Sequence, residues 1–118
     1  MEFLEEVGSL ALQIARRQRG EDGLQDINAI FDKFNKEWTE LIETANIWDE
    51  VPDVLYYAAC AAIQGSPHLM KRMPTLLKSY GVTMKQAQAA CLAKYRLRAA
   101  GNPKDIEAER VAIMEAIR

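Results

Sequence analysis

Residues 33–57 read KFNKEWTELIETANIWDEVPDVLYY, and an apolar and an acidic pattern overlap in them. The apolar one begins upstream. Leu24, Ile27, Phe31, Phe34, Trp38, Leu41 and Ala45 recur at alternating steps of three and four. That spacing predicts a helix over about Leu24–Thr44 with one continuous apolar stripe. Asn46 suits the left-handed residue that closes such a helix. Asp49 is a good N-cap type for the next one, with Pro52 in its first turn, where a missing N–H costs little. That helix is expected to run through Val54–Ile63 until Gly65-Ser66-Pro67 stops it. Only nine residues separate Glu40 from Glu50. Two helices joined so tightly pack antiparallel as a hairpin.

Outward from the hairpin the chain stays helical. Leu4, Val7, Leu10, Ala11 and Ile14 follow helical spacing within Phe3–Arg17, and Gly20-Glu21-Asp22-Gly23 ends that segment. A short helix is expected over His68–Ser79, bent or interrupted at Pro74. Thr83 and Gln86 form a capping-box pattern that opens a helix to about Ala100. Asn102-Pro103 reads as an N-cap followed by proline, starting a last helix to Ile117. No strand-like alternation occurs. The expected class is all-α: residues 1–118 as a single domain, a bundle of four to six helices built around the acidic hairpin.

Composition narrows the function. Fifteen Lys and Arg against seventeen Asp and Glu give a net charge of −2, which disfavours a nucleic-acid partner. The longest charge-free apolar run, Val54–Ile63, is ten residues, half of the ~20 a membrane span needs. The start, Met1–Glu6, is acidic where a secretory signal is basic, and the two cysteines, Cys60 and Cys91, sit in Ala-rich helical contexts as packing thiols. The expected location is therefore the cytoplasm, with no membrane partner.

The acidic pattern carries the chemistry. Glu37-x-x-Glu40 and Glu50-x-x-Asp53 each place two carboxylates one helical turn apart on one face. At 100° per residue Lys33, Glu37 and Glu40 share a stripe about 60° wide. Glu50, Asp53 and Tyr57 do likewise on the next helix, away from Val51, Leu55, Ala58 and Ala62. A charged helix face is ordinarily just solvated, but Glu37 and Glu40 flank Trp38 and so border the apolar stripe. In an antiparallel hairpin the two acidic faces oppose each other, and four convergent carboxylates repel unless a cation neutralises them. Hard oxygen ligands suit Mg²⁺, or Mn²⁺, and such ions act on phosphates.

The segments Lys33–Leu41 and Asp49–Tyr56 resemble the MazG-like nucleotide pyrophosphohydrolases of the all-α NTP pyrophosphatase superfamily, whose pattern is K-x-x-x-E-x-x-E-L, a loop, then E-E-x-x-D. Lys33 matches the family lysine, and Glu37, Glu40, Glu50 and Asp53 match its metal carboxylates. The sequence departs from the pattern at Lys36 and Asp49, where the family often has Glu, and at Pro52 inside E-x-x-D. The resemblance implies Mg²⁺-dependent hydrolysis of a nucleoside triphosphate between the α and β phosphates, giving a monophosphate and pyrophosphate. It implies a glutamate, Glu37 or Glu40, as proton acceptor, with Lys33, Lys94 and Arg98 balancing phosphate charge and Tyr57 on the substrate side. Trp38 has two readings, base stacking or core. The Glu5-Glu6 segment resembles the first motif but lacks its second Glu, so it reads as structural.

The uncovered apolar helix faces, together with the resemblance, lead to an expected homodimer or homotetramer. A ferritin-like di-iron bundle is excluded because it needs two E-x-x-H motifs, while the single histidine, His68, has Gly65 three residues before it. His68 reads as a surface or capping residue. The rival class is a non-catalytic helical interaction module with the same fold. Retention of all four carboxylates weighs against it, and a Mg²⁺ titration separates the two.

Overall fold

The computed structural model describes residues 2–101 and 103–118. Among them are six α-helices and no strand: α1 (Glu2–Ile14), α2 (Ile27–Thr44), α3 (Ile47–Ile63), α4 (His68–Lys78), α5 (Met84–Ala99) and α6 (Ile106–Ile117). The all-α bundle expected from the sequence is what forms.

At the centre lies α3, which touches each of the other five helices. Ten of its seventeen residues are buried, including Val51, Val54, Leu55 and Ala58 through Ala61. The small side chains of its second half let α1 and α5 approach closely. On α1 the buried residues are Phe3, Val7, Leu10, Ala11 and Ile14, one face at helical spacing. After Ile14 the helix widens into one π-helical turn, Ala15–Arg19, and ends on Gly20 at φ 64°. Its last turn thus goes two residues beyond the expected Arg17.

Three boundaries differ from the sequence reading around the hairpin. α2 starts at Ile27 because the Asp26 carboxylate accepts the Asn28 N–H at 3.0 Å and caps the helix there. Ala45, not Asn46, takes the left-handed conformation (φ 54°) that ends α2, donating its N–H to the Leu41 carbonyl at 3.0 Å. Asn46 becomes the N-cap of α3, its carbonyl accepting from the N–H groups of Asp49 and Glu50, both at 3.1 Å. Asp49 is therefore inside the helix, and its carboxylate is free to accept from Arg110 on α6 at 2.8 Å. Pro52 is the sixth residue of α3, beyond the first turn, with its ring fully buried.

Further along, α4 runs uninterrupted through Pro74, with Met73 and Leu77 buried on the same side. α5 opens on the expected capping box: Thr83 Oγ1 accepts the Gln86 N–H, and Gln86 Oε1 accepts the Thr83 N–H, both at 3.1 Å. The expected cap Asn102 lies outside the described residues. α6 starts later than Pro103, at Ile106, where Asp105 accepts the Ala108 N–H at 3.1 Å. It packs chiefly on α5 and closes over the acidic end of the hairpin.

Candidate metal centre

The two-residue turn at Ala45-Asn46 sets α2 and α3 side by side with their acidic faces turned inward. A cavity of about 330 Å³ opens there. α2 lines it with Lys36, Glu37 and Glu40, and α3 with Asp49, Glu50, Asp53 and Tyr57. Lys94, Tyr95 and Arg98 of α5 form its floor, and Lys104, Glu109 and Arg110 close the side nearest α6.

Three of the four expected carboxylates converge. One oxygen from each of Glu37, Glu40 and Glu50 lies within 4.8 Å of the other two. The crowding shows in their proton affinity. Burial, then a hydrogen bond and the charge of Glu37, and then Glu40, push the Glu50 carboxyl up to about 8. Glu37 is also raised, by burial first and then by the Asp53 charge. Near neutral pH the trio therefore holds a proton that isolated carboxylates would have lost. A divalent cation would replace that proton and reverse the shift. An all-oxygen donor set, half-buried and short of positive charge, fits Mg²⁺ or Mn²⁺.

Asp53 has different company. Its Oδ2 accepts from Lys94 Nζ at 3.0 Å and its Oδ1 from the Tyr95 hydroxyl at 2.7 Å. Lys94 also donates to the Asp49 carbonyl at 3.3 Å and lies 4.0 Å from Glu109. Arg98 pairs with Glu109 at 3.2 Å and lies over the Tyr95 ring. Asp53, Lys94 and Glu109 are the buried charged residues among those described. Burial of charge demands partners, and here two carboxylates meet two cations. Lys94 and Arg98, expected to face substrate phosphates, are thus engaged by protein carboxylates, although both line the cavity.

The remaining expected site residues divide. Tyr57 lines the cavity, its phenol pushed up to about 12 by burial and then by the charges of Asp53 and Glu37, so it stays a neutral donor. Lys33 is exposed and does not line the cavity, because it stands a full helical turn further from the hairpin tip than Glu37. Trp38 follows the core reading: it is half-buried, stacked on Phe34 at 6.4 Å and edge-on to Tyr80 at 6.3 Å. Glu6 holds Arg96 of α5 through two hydrogen bonds, one at 2.8 Å, which is a structural role. His68 is exposed at the start of α4, and Cys60 and Cys91 are buried, with burial pushing the Cys60 thiol up to about 12.

Sequence reasoning missed Glu109, Tyr95 and Arg110. Glu109 had one signal: it stands one turn before Ile113, the buried apolar residue of α6, so it shares the inward face. A charge on that face needs a buried partner. No protein-family model, curated protein or solved structure matches the chain.

Proposed function

We propose that this protein is a Mg²⁺-dependent nucleoside triphosphate pyrophosphohydrolase of the MazG-like kind, releasing pyrophosphate and a nucleoside monophosphate. The observation that carries the reading is the convergence of Glu37, Glu40 and Glu50 within 4.8 Å, in a cavity that also presents cations. The motif resemblance supplies the reaction; the cavity geometry is compatible with it.

Glu37, Glu40 and Glu50 are the residues that would hold the metal. When bound, a divalent ion polarises phosphoryl oxygens and makes water a better nucleophile. The chain's own groups do the rest. A carboxylate oxygen of Glu40 or Glu37 accepts the proton of the water that attacks the α-phosphorus. The bond from that phosphorus to the bridging oxygen breaks, and pyrophosphate leaves with the electron pair. Lys36 and Lys104 also line the cavity and have no ion-pair partner among the described residues, so their charge is available to phosphate oxygens. The Tyr57 hydroxyl is a further neutral donor.

The test is a screen of common and damaged NTPs and dNTPs with Mg²⁺, reading pyrophosphate. Wild type should release it from at least one. Glu40→Gln keeps the side chain's shape and removes its charge, and should lower turnover by roughly 10² or more. Glu6→Gln, on the helix whose acid is occupied by Arg96, should stay near wild type. If wild type releases no pyrophosphate from any nucleotide, the fold serves as an interaction module instead.

A further inference from the structure

We infer that Lys94 is a built-in counter-cation that withholds Asp53 from the metal, so that each chain binds one divalent ion, on Glu37, Glu40 and Glu50, rather than two. The inference rests on the metal reading of the preceding subsection and deepens it.

The argument begins with the division of charge in the cavity. Four acidic side chains at helical spacing on a hairpin could all point at metal, and a set of that size accommodates two ions. Here it is split three and one. The trio Glu37, Glu40 and Glu50 lies within 4.8 Å with no ion pair from Lys or Arg to any of its members among the described residues. Asp53 has an ammonium on one oxygen at 3.0 Å and a phenol hydroxyl on the other at 2.7 Å. The trio asks for a cation. Asp53 already has one.

Lys94 is also poorly placed to leave. Its side chain is 8% exposed and that of Asp53 12%. The ammonium is held at three points, by Asp53, by the Asp49 carbonyl and at longer range by Glu109. A metal entering beside Asp53 would have to break the Asp53–Lys94 pair at 3.0 Å and displace a largely buried ammonium, and would leave Glu109 with Arg98 alone. Like charges at close range resist a metal ion entering beside a retained ammonium. Tyr95 adds to the hold, since it is adjacent in sequence to Lys94 and buried: wherever α5 places one partner of Asp53 it places the other. Lys94 and Tyr95 are thus positioning residues. They fix Asp53, which lines the same cavity as the trio.

Counting bound Mn²⁺ on the intact protein, by calorimetry with electron paramagnetic resonance of the bound ion, tests this without reference to activity. Wild type should bind one Mn²⁺ per chain, and Lys94→Arg, which retains the charge, should also bind one. Lys94→Met removes the ammonium and keeps the packing, and should bind a second ion. Asp53→Asn covers the case in which Lys94→Met does not fold. It should keep one Mn²⁺ with affinity within about threefold of wild type, since a charge that is not a ligand acts only through a screened field. Glu50→Gln should lose at least about tenfold, because affinity follows the charge count of the ligands. Two ions on wild type, or equal losses for Asp53→Asn and Glu50→Gln, would overturn the role of Lys94 and leave the hydrolase reading standing. No Mn²⁺ on wild type at all would overturn both.

Discussion

A carboxyl held near pH 8 reports how much negative charge is confined around it. Glu50 is ordinary in sequence, one of seventeen acids, and its shift arises because α2 brings Glu37 and Glu40 against it. The shift makes stability depend on pH. The folded chain keeps the Glu50 proton up to about 8, whereas the unfolded chain releases it near the ordinary value of 4.5. Between those values the unfolded state binds fewer protons than the folded one, so stability falls as pH rises across that window. A divalent ion bound to the deprotonated trio would remove the penalty and add its own linkage. Melting temperature measured in EDTA should therefore decline from pH 5 to pH 8 more steeply than in saturating Mg²⁺, and Glu50→Gln should flatten the EDTA curve. Parallel curves with and without Mg²⁺ would dispose of the trio as a metal site.

Among the elements, the α2–α3 turn decides whether the acidic faces meet at all. Its two residues close one helix and start the next, and the closing residue is Ala45 at φ 54°. The left-handed conformation costs an L-residue with a Cβ roughly 1–2 kcal/mol, and glycine is exempt. Part of that gain is lost to the freedom glycine brings to the unfolded chain. Ala45→Gly should stabilise the protein by about 0.5–1 kcal/mol in urea unfolding. A loss of stability would mean that the turn does not sit in the left-handed region. The same turn explains why Asp49 was readable as a cap yet is not one: once Ala45 bends the chain, Asn46 is the residue at the cap, and Asp49 falls three positions inside, pointing at Arg110.

For the molecule as a whole, the exposed large apolar side chains lie on α2, at Ile63 ending α3, and above all on α6. Ile42 on α2 is 58% exposed, and on α6 Ile106, Val111 and Met114 are 52%, 56% and 46% exposed. α6 buries little apolar bulk besides Ile113, so its outer side remains open. Burial of such side chains against another copy is favourable at about 25 cal/mol per Å² of apolar area. Sedimentation at micromolar concentration should show a dimer or larger species. Val111→Lys together with Met114→Lys should shift it toward the 13.3 kDa monomer. A wild-type monomer would count against the assembly that the motif resemblance implies.

Periodicity alone established the helices, because burying one face at 3.6 residues per turn leaves an apolar stripe in the chain itself, as in Leu10, Ala11 and Ile14 or Phe34 and Leu41. The capping box at Thr83 and the stop at Gly20 were equally local and equally readable. No helix among those described is long and apolar enough to cross a membrane, as the ten-residue run foretold. The pairing of Glu37 and Glu40 with Glu50 was legible too, since a hairpin this short leaves its faces little choice. Where α5 and α6 would lie was not. The partners of Asp53 stand 41 and 42 residues away, and those of Asp49 and Lys94 lie on helices whose docking angles depend on every side chain between them. Spacing along one helix sets which groups share a face. Only the packing of helix on helix decides which cation meets which acid, and that is why the sequence marked four equal carboxylates and the tertiary structure divided them into three that crowd together and one paired with a lysine.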